Sequence, residues 1–183
     1  NGSAAGGNVP GTPSTLPPSC NNRIDAGTRG AWTGPAVPAR NNIGVQPDLL
    51  RRIVQNGYYG HPNPARCEWA FFGANPTSGV DPLEITAYPI GTLPDRNWRP
   101  PSWNFGDHFS PNGVIEYRYG AFGGALRGRM LVARYSAGDD IVALTPSSST
   151  REIIDQEDGI PGFGGFNNPL DITEDRRNCN LYV

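Results

Sequence analysis

Glycine and proline, 24 and 19 residues of the 183, fill more than a fifth of this chain, and that share bounds the fold before any pattern is sought. Glycine costs backbone entropy in a helix interior, and proline lacks the N–H that the helix needs. A helical bundle is therefore excluded. What remains is a loop-rich β architecture, in which both residues serve the turns. Four Trp, seven Tyr and seven Phe are enough to fill a core between sheets.

Residues 1 to about 22 are Gly, Pro, Ser, Thr and Asn with almost nothing apolar. We read 1–41 as a Gly/Pro/Ser-rich linker or strap and 42–183 as the folded part. Residues 48–55 (DLLRRIVQ) suit a short helix or a strand; Ile53-Val54 before Asn56-Gly57 favours a strand entering a tight turn. Residues 58–82 read as a long ordered loop with one short strand near Trp69 to Phe72, Leu83 to Tyr88 as a strand, and 89–112 as a loop. Further strands are expected at Gly113 to Tyr117, Met130 to Arg134, Ile141 to Leu144 and Arg151 to Ile154. Leu170 to Thr173 and Asn180 to Val183 should form a hairpin. Short strands with turn signals at this spacing predict an all-β sandwich, barrel or propeller. Gly-, Asn- and Pro-rich entries to strand pairs at Ser110 to Gly113 and Gly164 to Pro169 favour the propeller. A last strand with no turn after it suggests a sheet completed by other protein, and with it contacts near 42–60 and 170–183.

The net charge is -2 and no basic stripe occurs, so nucleic acid is an unsuited partner. No apolar run is long enough to span a bilayer. All fifteen basic residues are arginine, which reflects either a biased genome or selection for planar, two-pronged contacts. Without lysine, Schiff-base chemistry is excluded. Gly-x-Ser-x-Gly and His-Glu-x-x-His are also absent. Cys20, Cys67 and Cys179 make an odd count. A Cys20–Cys67 bridge would anchor the strap in a secreted, oxidising setting, leaving Cys179 free or bonded elsewhere. Asn1-Gly2-Ser3 is a glycosylation triplet.

Three segments in one order carry a resemblance: NGYYGHPNP (Asn56 to Pro64), SPNGVIEYRYGAFGGALRGRMLVARYSAGDDIVAL (Ser110 to Leu144) and GFGGFNNPLDITEDRRNCNLYV (from Gly162). Over 42–183 the chain resembles the C-terminal half of the glucose/sorbosone dehydrogenase-like family. That resemblance implies a six-bladed propeller, of which this length supplies about three to four blades of antiparallel four-stranded sheet. It implies pyrroloquinoline quinone and calcium as cofactors and a sugar as substrate, oxidised by a histidine base that lies in the half not present. It assigns His108, Arg134 and Asn168 to the cofactor's surroundings. Asn168 and Leu170 stand where the family carries arginines, and Leu49 where it carries an acid. Two readings result. The chain is part of an extracellular quinone-dependent sugar oxidoreductase, or it is a non-catalytic structural or adhesive module in a larger assembly. Either reading makes the missing half or a neighbouring chain its partner.

Other residues keep two readings each. His61, between Gly60 and Pro62, is a ligand contact or a loop histidine held by backbone bonds. His108, after Asp107, is a general base or sits beside a turn cap. Asp139-Asp140 is a calcium ligand pair or a hairpin turn. Asp155, Glu157 and Asp158 read as a solvated loop, and Glu174 to Arg177 as an exposed hairpin tip.

Overall fold

Apolar stretches short enough for strands, cut by turn formers, fold here as the composition requires. The computed structural model describes residues 7–9, 39–59, 74–77, 79, 84, 86, 90, 91 and 97–183. Its strands are β1 (Gly7–Val9), β2 (Arg40–Ile43), β3 (Asp48–Leu50), β4 (Trp103–Gly106), β5 (Pro111–Glu116), β6 (Met130–Arg134), β7 (Asp140–Pro146), β8 (Ile153–Glu157), β9 (Thr173–Glu174) and β10 (Leu181–Tyr182). Among the described residues every pairing between these strands is antiparallel, and an isolated bridge from Tyr58 to Trp98 is parallel. Among the described residues no helix forms beyond one 3₁₀ turn, Phe122–Gly124. None is long and apolar enough to cross a membrane. The chain divides into two compact units.

The first unit takes in Gln46–Leu50 and Ser102–Val183. Its centre is a meander of β5, β6, β7 and β8 in chain order. The two middle strands are apolar on successive residues, so both of their faces need cover. Leu131, Ala133, Ile141 and Ala143 pack on one side with Tyr117, Leu126, Phe163 and Ile172. Val132, Val142 and Leu144 pack on the other with Phe105 and Ile153. Burying each large aliphatic side chain stabilises the fold by about 1.5–3 kcal/mol. Edge strand β8 has one covered face, and its Ile154 is exposed. On the first side the segment ahead of β9 lies directly on β5. A Cβ at the buried Gly113 would fall 2.6 Å from the Asp171 Cα and 2.8 Å from the Ile172 nitrogen, so only glycine admits that crossing.

β3 and β4 form a two-stranded ribbon that places Phe105, Trp103 and Leu50 over the second side. The region expected to be loop throughout, 89–112, thus contains a strand, β4. It forms because Trp103 and Phe105 have a surface to bury. The strand expected over 48–55 ends at Leu50.

In the second unit, Ser3–Val45 with Arg51–Pro101, the backbone after β3 turns to a side chain for its bonds. The Val54 N–H donates to the Tyr59 hydroxyl at 2.5 Å, and that hydroxyl lies 3.2 Å from the Arg52 carbonyl. The turn at Asn56-Gly57 is present, closed by Gly57 N–H to Val54 carbonyl at 3.0 Å. Here too β1, inside the segment read as a strap, pairs with β2. Of Leu83 to Tyr88 only Glu84 and Thr86 are described, and neither is in a strand.

The fourth meander strand begins at Ile153, two residues later than expected, because the turn before it runs on through Arg151. The Ser147 hydroxyl accepts from Ser149 and Thr150 N–H, and Arg151 takes a positive φ of 64°. Asp155 and Glu157 consequently lie on β8, not in a solvated loop, and Asp158 follows directly. The hairpin of β9 and β10 is present but shorter than expected, pairing Leu181 with Glu174 and Tyr182 with Thr173. Of the expected exposed tip, Arg176 and Arg177 are exposed, whereas Glu174 lies in β9 and is half-buried with Asp175, which pairs with Arg177 at 3.0 Å.

Candidate functional site

Alternation along β6 decides where its one charged residue goes. Arg134 has the parity of Val132 and so faces the second apolar side, where it is 5% exposed. A guanidinium there needs partners, since an unpaired buried charge is strongly destabilising. The hairpin register supplies the first, because Arg134 lies directly opposite Asp140 at the start of β7. Arg134 Nε donates to Asp140 Oδ1 at 2.7 Å and Nη2 to Oδ2 at 2.5 Å, a two-pronged pair. Asp158, just past β8, places Oδ1 2.8 Å from the same Nη2. The Phe109 ring lies 4.6 Å from the guanidinium carbon, a cation–π contact. Burial alone would lower the arginine's pKa. The hydrogen bond and charge of Asp140, then those of Asp158, outweigh burial and raise it. Gly138 is required beside this pair, because a Cβ there would approach Arg134 Nε to 2.9 Å.

The polar chain runs on across the sheet. Gln156 Nε2 donates to Asp158 Oδ2 at 2.9 Å, and Trp103 Nε1 donates to Gln156 Oε1 at 2.6 Å. Asp48 on β3, which unlike Asp140 and Asp158 is buried, accepts the Ser110 N–H at 2.8 Å and ties that ribbon to the entry of β5.

The three residues assigned by resemblance come from separate segments and meet around the β6–β7 hairpin. The His108 carbonyl accepts from the Ser136 hydroxyl at 2.7 Å and the Ala137 N–H at 3.2 Å. The Asn168 N–H donates to Asp139 Oδ1 at 3.1 Å. Both His108 and Asn168 are exposed and hold positive φ, 64° and 52°. Leu170 is exposed, and Leu49 lies in β3 opposite Asn104, beside the buried Asp48. Asp139 and Asp140 serve the hairpin itself, as turn residue and arginine partner. Among the described residues no group of three or more His, Cys, Asp or Glu gathers as a metal cluster would. Cys179 is a free thiol. Cys20, Cys67, His61 and Asn1 lie outside the described residues.

A quinone with several carboxylates needs uncompensated positive charge. Arg134 is already opposed by two carboxylates, and Asn168 and Leu170 add none. The described residues do not fit that cofactor as they stand.

Sequence reasoning missed the partners. Asp140 was legible, since pairing the hairpin sets it opposite Arg134. Phe109, Asp158 and Gln156 carried no local signal, because their link to Arg134 exists only once β4 and β8 are laid against the sheet.

No family model matches the chain, and neither a curated protein nor a solved structure matches it.

Proposed function

We propose that the chain is a portion of an extracellular β-propeller of the glucose/sorbosone dehydrogenase type, and that this portion acts as non-catalytic scaffold within a larger assembly. The observation that carries the scaffold role is Arg134. Its guanidinium is paired with Asp140 and Asp158, which offset its charge and hold β6, β7 and the end of β8 together. A sheet of four consecutive antiparallel strands, apolar on both faces of its middle strands, supports the propeller half of the reading. A blade stacked between neighbours needs cover on both sides.

A second reading has its own support. His108 and Asn168 each bond the β6–β7 hairpin through the backbone, and Arg134 lies at its base, so the three residues come from separate segments to one hairpin. On that reading the complete protein oxidises a sugar with pyrroloquinoline quinone and calcium. Equilibrium binding of the quinone to the full-length protein, with calcium and a dye-linked sugar oxidation assay, separates the two. The scaffold reading expects neither binding nor turnover. Quinone-dependent turnover overturns it in favour of the oxidoreductase.

A further inference from the structure

A guanidinium offers two forked edges to a carboxylate: Nε with Nη2, and Nη1 with Nη2. In Arg134 the first edge is filled by both oxygens of Asp140. The second is half used. Asp158 reaches Nη2 through Oδ1 alone, and its other oxygen is turned to Gln156. Nη1 has no hydrogen-bond partner among the described residues and is not one of the buried polar atoms left without one, so it keeps a narrow contact with solvent on a side chain that is 6% exposed. The two acids also differ in setting. The Asp140 side chain is 17% exposed and fixed by the hairpin register, whereas that of Asp158 is 50% exposed at a strand end.

We propose that the Nη1–Nη2 edge of Arg134 is a carboxylate-binding site which the chain closes with its own Asp158, an autoinhibitory contact that an external carboxylate must displace. A monodentate, half-exposed acid is the weaker occupant of a forked site, and a free carboxylate can take both nitrogens. Phe109 stacked on the guanidinium and the Asp140 clamp hold the plane of the fork fixed, so an incoming carboxylate meets a preorganised edge. The Gln156 amide holds Asp158 over the site, and the Trp103 indole in turn fixes Gln156. This goes beyond the scaffold reading and does not depend on the family resemblance.

The test is a titration of the full chain with sodium formate against sodium chloride at equal ionic strength. It is read by thermal unfolding and by the Arg134 Nε–H resonance. In the wild type, formate and chloride should act alike. In Asp158→Asn, which keeps the shape and removes the charge, formate should bind at least about tenfold tighter, raise the melting temperature by mass action and move the Nε–H resonance. Equal formate response in the two proteins, or a loss of stability in the variant that formate does not repair, overturns the proposal and leaves an ordinary ion triad. Should Asp158→Asn fail to fold, Gln156→Ala releases Asp158 without removing it. A formate-dependent shift of the Nε–H resonance is expected there, and its absence is equally decisive against the site.

Discussion

At the scale of the residue, buried polar groups are fixed by what they face. Tyr117 is wholly buried between the 3₁₀ turn and the β9–β10 hairpin, with its ring edge-on to Tyr119 and Phe122. Its hydroxyl donates to the Cys179 carbonyl at 3.1 Å. Burial first, then Cys179, Glu174 and Tyr119, raises the pKa of that phenol. The neutral form is therefore the folded form. Its contribution is fully present below the ordinary tyrosine value of about 10 and is lost as pH rises beyond it, because the unfolded chain ionises first. Base titration followed by circular dichroism should show stability falling in that alkaline window. Tyr117→Phe should remove this part of the loss at a cost of about 1 kcal/mol at neutral pH, from the hydrogen bond given up. A variant with an unchanged alkaline limb would show that Tyr117 is not the group responsible.

At the scale of the element, the meander is asymmetric. Its middle strands are covered on both sides, while β8 offers its alternate residues to solvent. The same aliphatic truncation should therefore have very different effects on neighbouring strands. Leu131→Ala on β6 removes a side chain with no exposed surface and should destabilise by about 2–5 kcal/mol. Ile154→Ala on β8, where the side chain is 64% exposed, should stay within about 0.5 kcal/mol of the parent. Chemical denaturation of both variants measures the contrast, and comparable losses would mean that β8 is covered in solution. The charges on β8 guard this edge. Glu157 pairs with Arg129, and Asp155 points outward, a common device against strand addition.

At the scale of the molecule, an apolar surface is left open in the first unit. Phe122, Phe163, Phe166 and the end of β10 from Leu181 to Val183 line a concavity of about 480 Å³. Phe122, Tyr182 and Val183 are each about half exposed, and Phe122 holds a φ of 57° that bulky residues seldom adopt. Exposed aromatic surface of this kind favours association. Residues 1–183 expressed alone should bind a hydrophobic dye and self-associate on sizing chromatography. A dye-free monomer with a sharp cooperative melt would show that this surface is tolerated in water.

The sequence by itself determined the class of the fold and most of its strands. Glycine and proline excluded helices. The runs Met130 to Arg134 and Ile141 to Leu144 are too short and too continuously apolar to be anything but covered strands, and Asn56-Gly57 marked its turn. These signals are local, so they survive without neighbours. What only the tertiary structure decided is every role that depends on a partner far along the chain. Trp103 to Gly106 reads as loop until β3 and the apolar sheet face give it bonds and cover. Asp155, Glu157 and Asp158 read as solvated acids until β8 carries Asp158 to Arg134, 24 residues distant. Arg134 reads as a ligand contact until that acid and Asp140 set two opposing carboxylates on it. Electrostatic pairing acts through space, and a chain written in one dimension shows it only where the hairpin itself folds the two residues face to face.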